Sequence, residues 1–239
     1  MTTAVLLPGN LCDNRLWHGG GGIIAATLAR HGLTVAFAAP AAAATVAGMA
    51  AAVLASVAGP LLPVGFSMGG IVALEVARQA PERIVALVLA DTNAGPDLPE
   101  RAAVRPAQQA RVRAGDLATI VRDELKPNYL AAAHRGDDAL KTLLLAMALD
   151  LGPDVFVAQS EALRTRADAG PVLDAFAGPV LLIAGPEDTL CPPAWHEAMA
   201  ARCAQATLRV IAGAGHMTPL EAPAAFAGAI DDWLTKEPQ

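Results

Sequence analysis

The 239-residue sequence is acidic, with 17 Lys and Arg residues against 23 Asp and Glu residues and a formal charge of −6. This balance argues against nucleic acid as a partner, because binding to phosphates requires a basic face. A hydrophobic content of 54% excludes a disordered chain. No apolar run approaches the roughly 18 residues that a membrane-spanning helix needs. The length suits one domain, or a core with an inserted subdomain.

The first half of the chain alternates short apolar runs with helical patterns. The apolar runs, typical of strands buried on both faces of a parallel sheet, cover residues 3–8, 33–40, 61–66 and 84–90. The helical patterns between them cover residues 23–30, about 45–58 and the segment from Ile71 to the residue before Pro81.

This alternation stops between about Pro96 and Gly170. Helical patterns fill the interval near residues 99–113, 116–125, 137–150 and 153–167. The interval also holds 10 of the 17 Lys and Arg residues. A strand over 179–184, a helix over about 193–203, a strand over 207–212 and a helix over about 223–233 then complete the chain.

We therefore predict an α/β fold with a doubly wound, mostly parallel six-stranded sheet flanked by helices. An all-helical cap is inserted after the fourth strand. Residues 1–95 and 171–239 form the predicted core, and residues 96–170 form the predicted cap.

The most informative motif is Gly65-Phe66-Ser67-Met68-Gly69-Gly70, which lies between a predicted strand and a predicted helix. A serine at such a sharp turn occupies a strained backbone, and its neighbours must lack a Cβ atom that would clash. The turn directs the hydroxyl out of the sheet towards the start of the helix. Ser67 is therefore a candidate nucleophile.

A serine nucleophile needs a base, and the base needs an acid to orient it. Of five histidines, His216 lies in a glycine-rich loop directly after a strand, where the carboxyl ends of parallel strands meet. Asp188 and Asp91 each follow a strand and could supply the acid. We favour Asp188, which precedes His216 in the chain order Ser, Asp, His.

These motifs, together with LLPGNLCDNRLW, LLIAGPEDTLCPP and GAGHMTPLEAPAAFAGAIDDWL, resemble the α/β-hydrolase fold family over nearly the whole chain. The resemblance is to compact bacterial serine esterases and carbon–carbon bond hydrolases. It implies Ser67 as nucleophile, His216 as base and Asp188 as acid. The first apolar run resembles the third strand of the fold, so two short strands that often begin it are absent.

The resemblance also implies an oxyanion hole formed by the backbone N–H groups of Met68 and Asn10, with Leu11 as second choice. Pro8 stands where the family usually has histidine, which leaves backbone donors available. Leu11, Met147, Phe156 and Met217 are the predicted substrate-pocket residues. We interpret Arg101, Arg105, Arg111 and Arg113 as a solvated helix face rather than as a site for an anionic acyl group or carrier.

We predict a serine hydrolase that cleaves a small carboxylic ester, or a related acyl bond, through an acyl-enzyme without a cofactor or a metal. A carbon–carbon bond hydrolase of diketone-type substrates and a non-catalytic ligand-binding protein on the same fold are the alternatives. Three widely spaced cysteines and an N-terminus without a basic region favour a cytoplasmic protein. We expect a monomer or a homodimer.

Overall fold

The computed structural model describes residues 1–38, 43–127 and 129–236. Six strands form one sheet in the order β2-β1-β3-β4-β5-β6, and every neighbouring pair is parallel. The strands are β1 (Thr3–Leu7), β2 (Thr34–Phe37), β3 (Leu61–Phe66), β4 (Leu87–Ala90), β5 (Pro179–Ala184) and β6 (Gln205–Val210). The predicted fold class is confirmed.

The helices lie between the strands along the chain, and the last two follow β6. They are α1 (Gly19–Arg30), α2 (Val46–Ser56), α3 (Met68–Gln79), α4 (Pro99–Arg113), α5 (Leu117–Thr119), α6 (Asp138–Arg164), α7 (Gly170–Ala175), α8 (Pro193–Ala200), α9 (Thr218–Glu221) and α10 (Pro223–Lys236). Short 3₁₀ turns cover Asn14–His18, Pro81–Arg83 and Ala132–His134, and a π-helical turn covers Ile120–Leu125. No helix within the described ranges is long and apolar enough to cross a membrane.

Alternate side chains of the buried strands supply two apolar clusters, one on each face of the sheet. Ala4 and Leu6 of β1 pack with α1 and α10. Val5 and Leu7 pack on the other face with α2, α3, α7 and α8. Both faces of the central strands are therefore covered, which explains why these strands are continuous apolar runs in the sequence.

Helices α4, α5 and α6 lie between β4 and β5 and pack on a third apolar cluster that includes Leu11 of the core. The two ends of this insert are adjacent, because the Ala169 N–H donates to the Ala94 carbonyl at 2.7 Å. Helix α6 is interrupted at Gly152, where φ is +83°, just before Pro153. The break falls where the sequence predicted a boundary between two helices.

Three predicted strand boundaries differ from the structure. Strand β6 begins at Gln205, two residues before the predicted start, since an edge strand with half-exposed residues carries little apolar pattern. Strand β4 begins at Leu87 and is shorter than the predicted 84–90, and Ile84 forms only an isolated bridge to Leu61. Of the predicted strand 33–40, Thr34–Phe37 is β2, and residues 39 and 40 lie outside the described residues.

Candidate active site

Ser67 lies at the junction between β3 and α3 with φ +52° and ψ −115°. The glycines around it are sterically required. A Cβ on Gly65 would lie 2.5 Å from the Gly69 carbonyl oxygen, and a Cβ on Gly69 would collide with the Leu7 carbonyl oxygen. The turn therefore depends on backbone segments that approach more closely than any side chain permits.

Thr92, which follows β4, stabilises this turn through two hydrogen bonds. Its hydroxyl donates to the Ser67 carbonyl at 2.7 Å, and its N–H donates to Nε2 of His196 at 3.1 Å. Burial lowers the pKa of His196 to about 4, so the ring is neutral and can accept this bond. No sequence pattern indicates this support, because His196 lies on α8, far along the chain from Thr92.

The structure brings Ser67, His216 and Asp188 together. His216 Nε2 lies 3.0 Å from Ser67 Oγ, and His216 Nδ1 lies 2.8 Å from Asp188 Oδ2. The side chains of His216 and Asp188 are 2% and 0% exposed. With the proton on Nδ1, His216 donates to the carboxylate and offers Nε2 as an acceptor to the serine hydroxyl.

Asp188 is held as an ionised acceptor. Burial opposes its ionisation, but His216 and the N–H groups of Cys191 and Leu190 outweigh this effect and lower its pKa. These two N–H groups donate to Oδ1 at 2.9 and 2.8 Å, respectively, which leaves Oδ2 for His216.

Asp91, the other predicted candidate for the acid, has different partners. Its fully buried carboxyl accepts from the Gly185 N–H at 3.0 Å and bonds with the Thr218 hydroxyl. Burial and the negative charge of Asp188 raise its pKa well above the ordinary value. Asp91 therefore braces the loops after β4 and β5 and does not contact His216 directly.

Glu221, on α9, fixes the loop that carries His216. Its Oε1 accepts from the N–H groups of Gly215 and Met217 at 2.9 and 3.0 Å. Its Oε2 accepts from the Ala131 N–H of the insert at 2.7 Å. The intervening His216 N–H donates to the Tyr129 carbonyl at 2.7 Å, and the Tyr129 ring stands edge-on to the imidazole, with 5.0 Å between ring centroids.

The loop after β1 brings Asn10 to the cavity beside Ser67 and Met68. The Leu11 N–H, the second choice for an oxyanion donor, donates instead to Gln159 Oε1 at 2.8 Å. The Asn10 side-chain amide donates to the same oxygen at 3.0 Å. Because Leu11 is already engaged, the arrangement favours Asn10 and Met68 as the pair of oxyanion donors.

A cavity of about 400 Å³ opens over Ser67 and His216, between the core and the insert. The four predicted pocket residues do not line it. Leu11, Met147, Phe156 and Met217 are at most 3% exposed and pack within the apolar clusters. The prediction chose large apolar residues, whose burial in the core is more favourable than exposure to a solvent-filled cavity.

The cavity wall instead carries charged side chains, among them Arg101 and Arg105 of α4 and Arg166 beyond α6. The interpretation of the predicted arginines as a solvated face is wrong for Arg101 and Arg105. It fits Arg111 and Arg113, which are exposed on the same helix.

Among the described residues, the one group of three potential metal ligands is Asp188, Cys191 and His216, whose ligand atoms lie within 4.8 Å of one another. His216 and Asp188 are already hydrogen-bonded to each other through Nδ1 and Oδ2. Burial and the charge of Asp188 raise the pKa of the Cys191 thiol far above its usual range, which disfavours a thiolate ligand or nucleophile. The group therefore fits an acid–base pair with a neutral thiol beside it better than it fits a metal centre.

Comparison with known proteins places this chain among hydrolases. The model of the alpha/beta hydrolase family matches residues 4–229. A pimeloyl-[acyl-carrier protein] methyl ester esterase of Neisseria meningitidis serogroup B is 31% identical over 178 residues, which are 72% of this chain and 67% of that protein. The predicted family is confirmed.

Solved structures agree with this assignment. A thermophilic esterase from Thermogutta terrifontis, solved with malate bound, is 28% identical and superposes with a TM-score of 0.87, covering 99% of this chain and 90% of its own. The enol-lactonase from Burkholderia xenovorans LB400 shares the fold, with 21% identity, a TM-score of 0.84 and coverage of 98% and 92%.

Proposed function

We propose that this chain, which belongs to the alpha/beta hydrolase family, hydrolyses small carboxylic esters through Ser67, His216 and Asp188. The observation that carries the proposal is the unbroken hydrogen-bonded series from Ser67 Oγ to His216 to Asp188, at 3.0 and 2.8 Å. The relative from Neisseria is named as an esterase of a methyl ester, which supports the same bond type here.

In this mechanism Ser67 Oγ attacks the ester carbonyl carbon while His216 Nε2 takes the hydroxyl proton. The negative charge that develops on the carbonyl oxygen is stabilised by the N–H groups of Asn10 and Met68. His216 then gives its proton to the departing alkoxide and leaves an acyl-enzyme. A water molecule, deprotonated by the same imidazole, attacks the acyl carbon and releases the acid and Ser67.

We further propose that residues 96–170 act as a cap over this chemistry. The cavity is lined on one side by Ser67, Met68 and His216 of the core and on the other by α4 and the segment around Tyr129. A roof of this kind limits access of water and selects the substrate by its shape and charge.

Replacement of the nucleophile tests the proposal. We expect Ser67→Ala to lower kcat/KM for p-nitrophenyl butyrate by roughly 10⁴-fold or more, because the attacking atom is lost. A fluorophosphonate probe should label the wild-type protein and not this variant. Ser56→Ala, at the exposed end of α2, is the matched control and should behave as the wild type. Equal rates for Ser67→Ala and the wild type would rule out the serine mechanism.

A further inference from the structure

The wall of the active-site cavity carries more arginines than carboxylates, although the whole chain has a net charge of −6. Arg101, Arg105 and Arg166 line it together with two carboxylates, Asp97 and Glu124. Glu124 forms an ion pair with Arg111, which is not a lining residue, so its charge is compensated from elsewhere. Three guanidinium groups in the wall are then opposed mainly by one carboxylate.

Two of these arginines have their charge paired with a buried carboxylate. Arg105 binds both oxygens of Asp97, with Nε at 2.6 Å and Nη2 at 3.2 Å. Arg166 binds Asp97 at 2.9 Å and also donates to the Gly95 carbonyl at 3.0 Å. The Asp97 carboxylate is 2% exposed, and these contacts hold it between the two guanidinium groups.

Arg101 differs from both. No carboxylate within the described ranges lies within 4 Å of its guanidinium group. Its Nη1 and Nη2 each reach the Leu190 carbonyl at a long 3.3 Å, and the group lies 5.8 Å from the centre of the Trp195 ring. Both partners are neutral, so the positive charge and most of the five N–H donors remain available to a ligand.

From this we infer that Arg101 forms an anion subsite in the cavity, and that the substrates are small esters bearing an ionised carboxylate, such as half-esters of dicarboxylic acids. The inference deepens the proposed function and rests on it. A guanidinium fork matches a carboxylate with two parallel hydrogen bonds, and a half-buried site strengthens them relative to water. The contacts of Arg101 with Leu190 and Trp195 would hold its side chain in place for such a ligand.

The test compares esters that differ in one charge. Monomethyl glutarate, which carries the carboxylate on the acyl side, is paired with the neutral ester methyl pentanoate. 4-Acetoxybutanoate, which carries the carboxylate on the alcohol side, is paired with the neutral ester butyl acetate. We expect the wild type to prefer the charged member of at least one pair. Arg101→Gln should reduce that ratio of kcat/KM values roughly ten- to a hundredfold, the range for hydrogen bonds to charged groups.

Arg113→Gln is the matched control, because Arg113 is exposed near the end of the same helix and does not line the cavity. It should leave the ratios unchanged. The subsite is overturned if the wild type prefers neither charged ester, or if Arg101→Gln keeps the preference.

A binding measurement separates this inference from the proposed reaction. Calorimetry should show that the wild type binds glutarate more tightly than pentanamide, an uncharged compound of the same chain length, and that Arg101→Gln raises the Kd for glutarate about tenfold or more. If ester turnover proves independent of Ser67, the proposed function fails while glutarate binding still tests the subsite. Equal binding of glutarate and pentanamide to the wild type would overturn the subsite whatever the fate of the reaction.

Discussion

The described residues include three non-glycine positions with positive φ, and all three surround the candidate site. Leu11, with φ +51°, lies in the loop beside Asn10. Ser67 is the proposed nucleophile, and Asp91, with φ +46°, follows β4 and is bonded to the loop after β5. Such conformations raise the local free energy and persist where surrounding contacts impose them. Backbone strain in this fold is therefore concentrated where the chemistry is proposed.

Asp188 and Asp91 show how two buried carboxyl groups in one region are given different states. Asp188 faces an imidazole and two N–H groups, which lower its pKa despite burial. Asp91 has one backbone N–H and one hydroxyl as partners and lies near the charge of Asp188, so its pKa is raised. The neutral form of Asp91 can donate to Thr218, a role that an asparagine amide reproduces.

We therefore expect Asp188→Asn to lower kcat by roughly 10³- to 10⁴-fold and Asp91→Asn to lower it by less than about tenfold. In Asp188→Asn the amide oxygen stays with the Leu190 and Cys191 N–H groups. The amide NH₂ then faces His216 and favours the tautomer that cannot accept the serine proton. Steady-state kinetics with p-nitrophenyl butyrate measures both variants. A larger loss for Asp91→Asn would make Asp91 the acid of the site.

At the level of elements, Glu221 connects α9, the loop of His216 and the insert. One carboxylate oxygen accepts from the loop on both sides of His216, and the other accepts from Ala131. The side chain of Glu221 is 0% exposed, so these N–H groups have no easy access to water as a substitute. The position of the proposed base thus depends on a residue five positions along the chain.

Glu221→Ala should lower the free energy of unfolding by about 3 kcal/mol, because several buried N–H groups lose their acceptor. We also expect kcat to fall more than KM rises, since the imidazole is displaced and the cavity wall is not. Urea unfolding and steady-state kinetics measure the two effects. Glu187→Ala removes an exposed carboxylate that accepts from Ala132, and should lower stability by less than about 1 kcal/mol. Equal losses in the two variants would contradict the role given to Glu221.

The sequence predicts elements well where one physical cause dominates. Strands β1, β3 and β5 are buried on both faces, so they appear as apolar runs and are found close to their predicted bounds. Helix α9 escapes prediction because its four residues depend on the tertiary contacts of Glu221 rather than on a periodic pattern. The positions of Ser67, Asp188 and His216 could be predicted because each follows a strand, and parallel strands end at one edge.

At the scale of the whole molecule, the wall of the cavity could not be predicted in this way. It forms where α4 meets the loops after β1, β4 and β5, and nothing local distinguishes Arg101 or Arg105 from the exposed Arg111 and Arg113. The difference arises from packing between parts of the chain that are distant in sequence. Asp97 is the clearest case, because it joins Arg105 at the start of the insert to Arg166 near its end.

This ion triad is one polar anchor of the insert, and its burial sets the expected effect of breaking it. Asp97→Asn leaves two guanidinium groups, 15% and 5% exposed, without their counter-charge, and should lower the free energy of unfolding by about 3–5 kcal/mol. Asp174→Asn is the matched control, because Asp174 and Arg202 form a pair that is 53% and 39% exposed. Removing this pair should change stability by less than about 1 kcal/mol. Urea unfolding of both variants decides the question, and similar small losses would mean that the triad does not hold the insert in place.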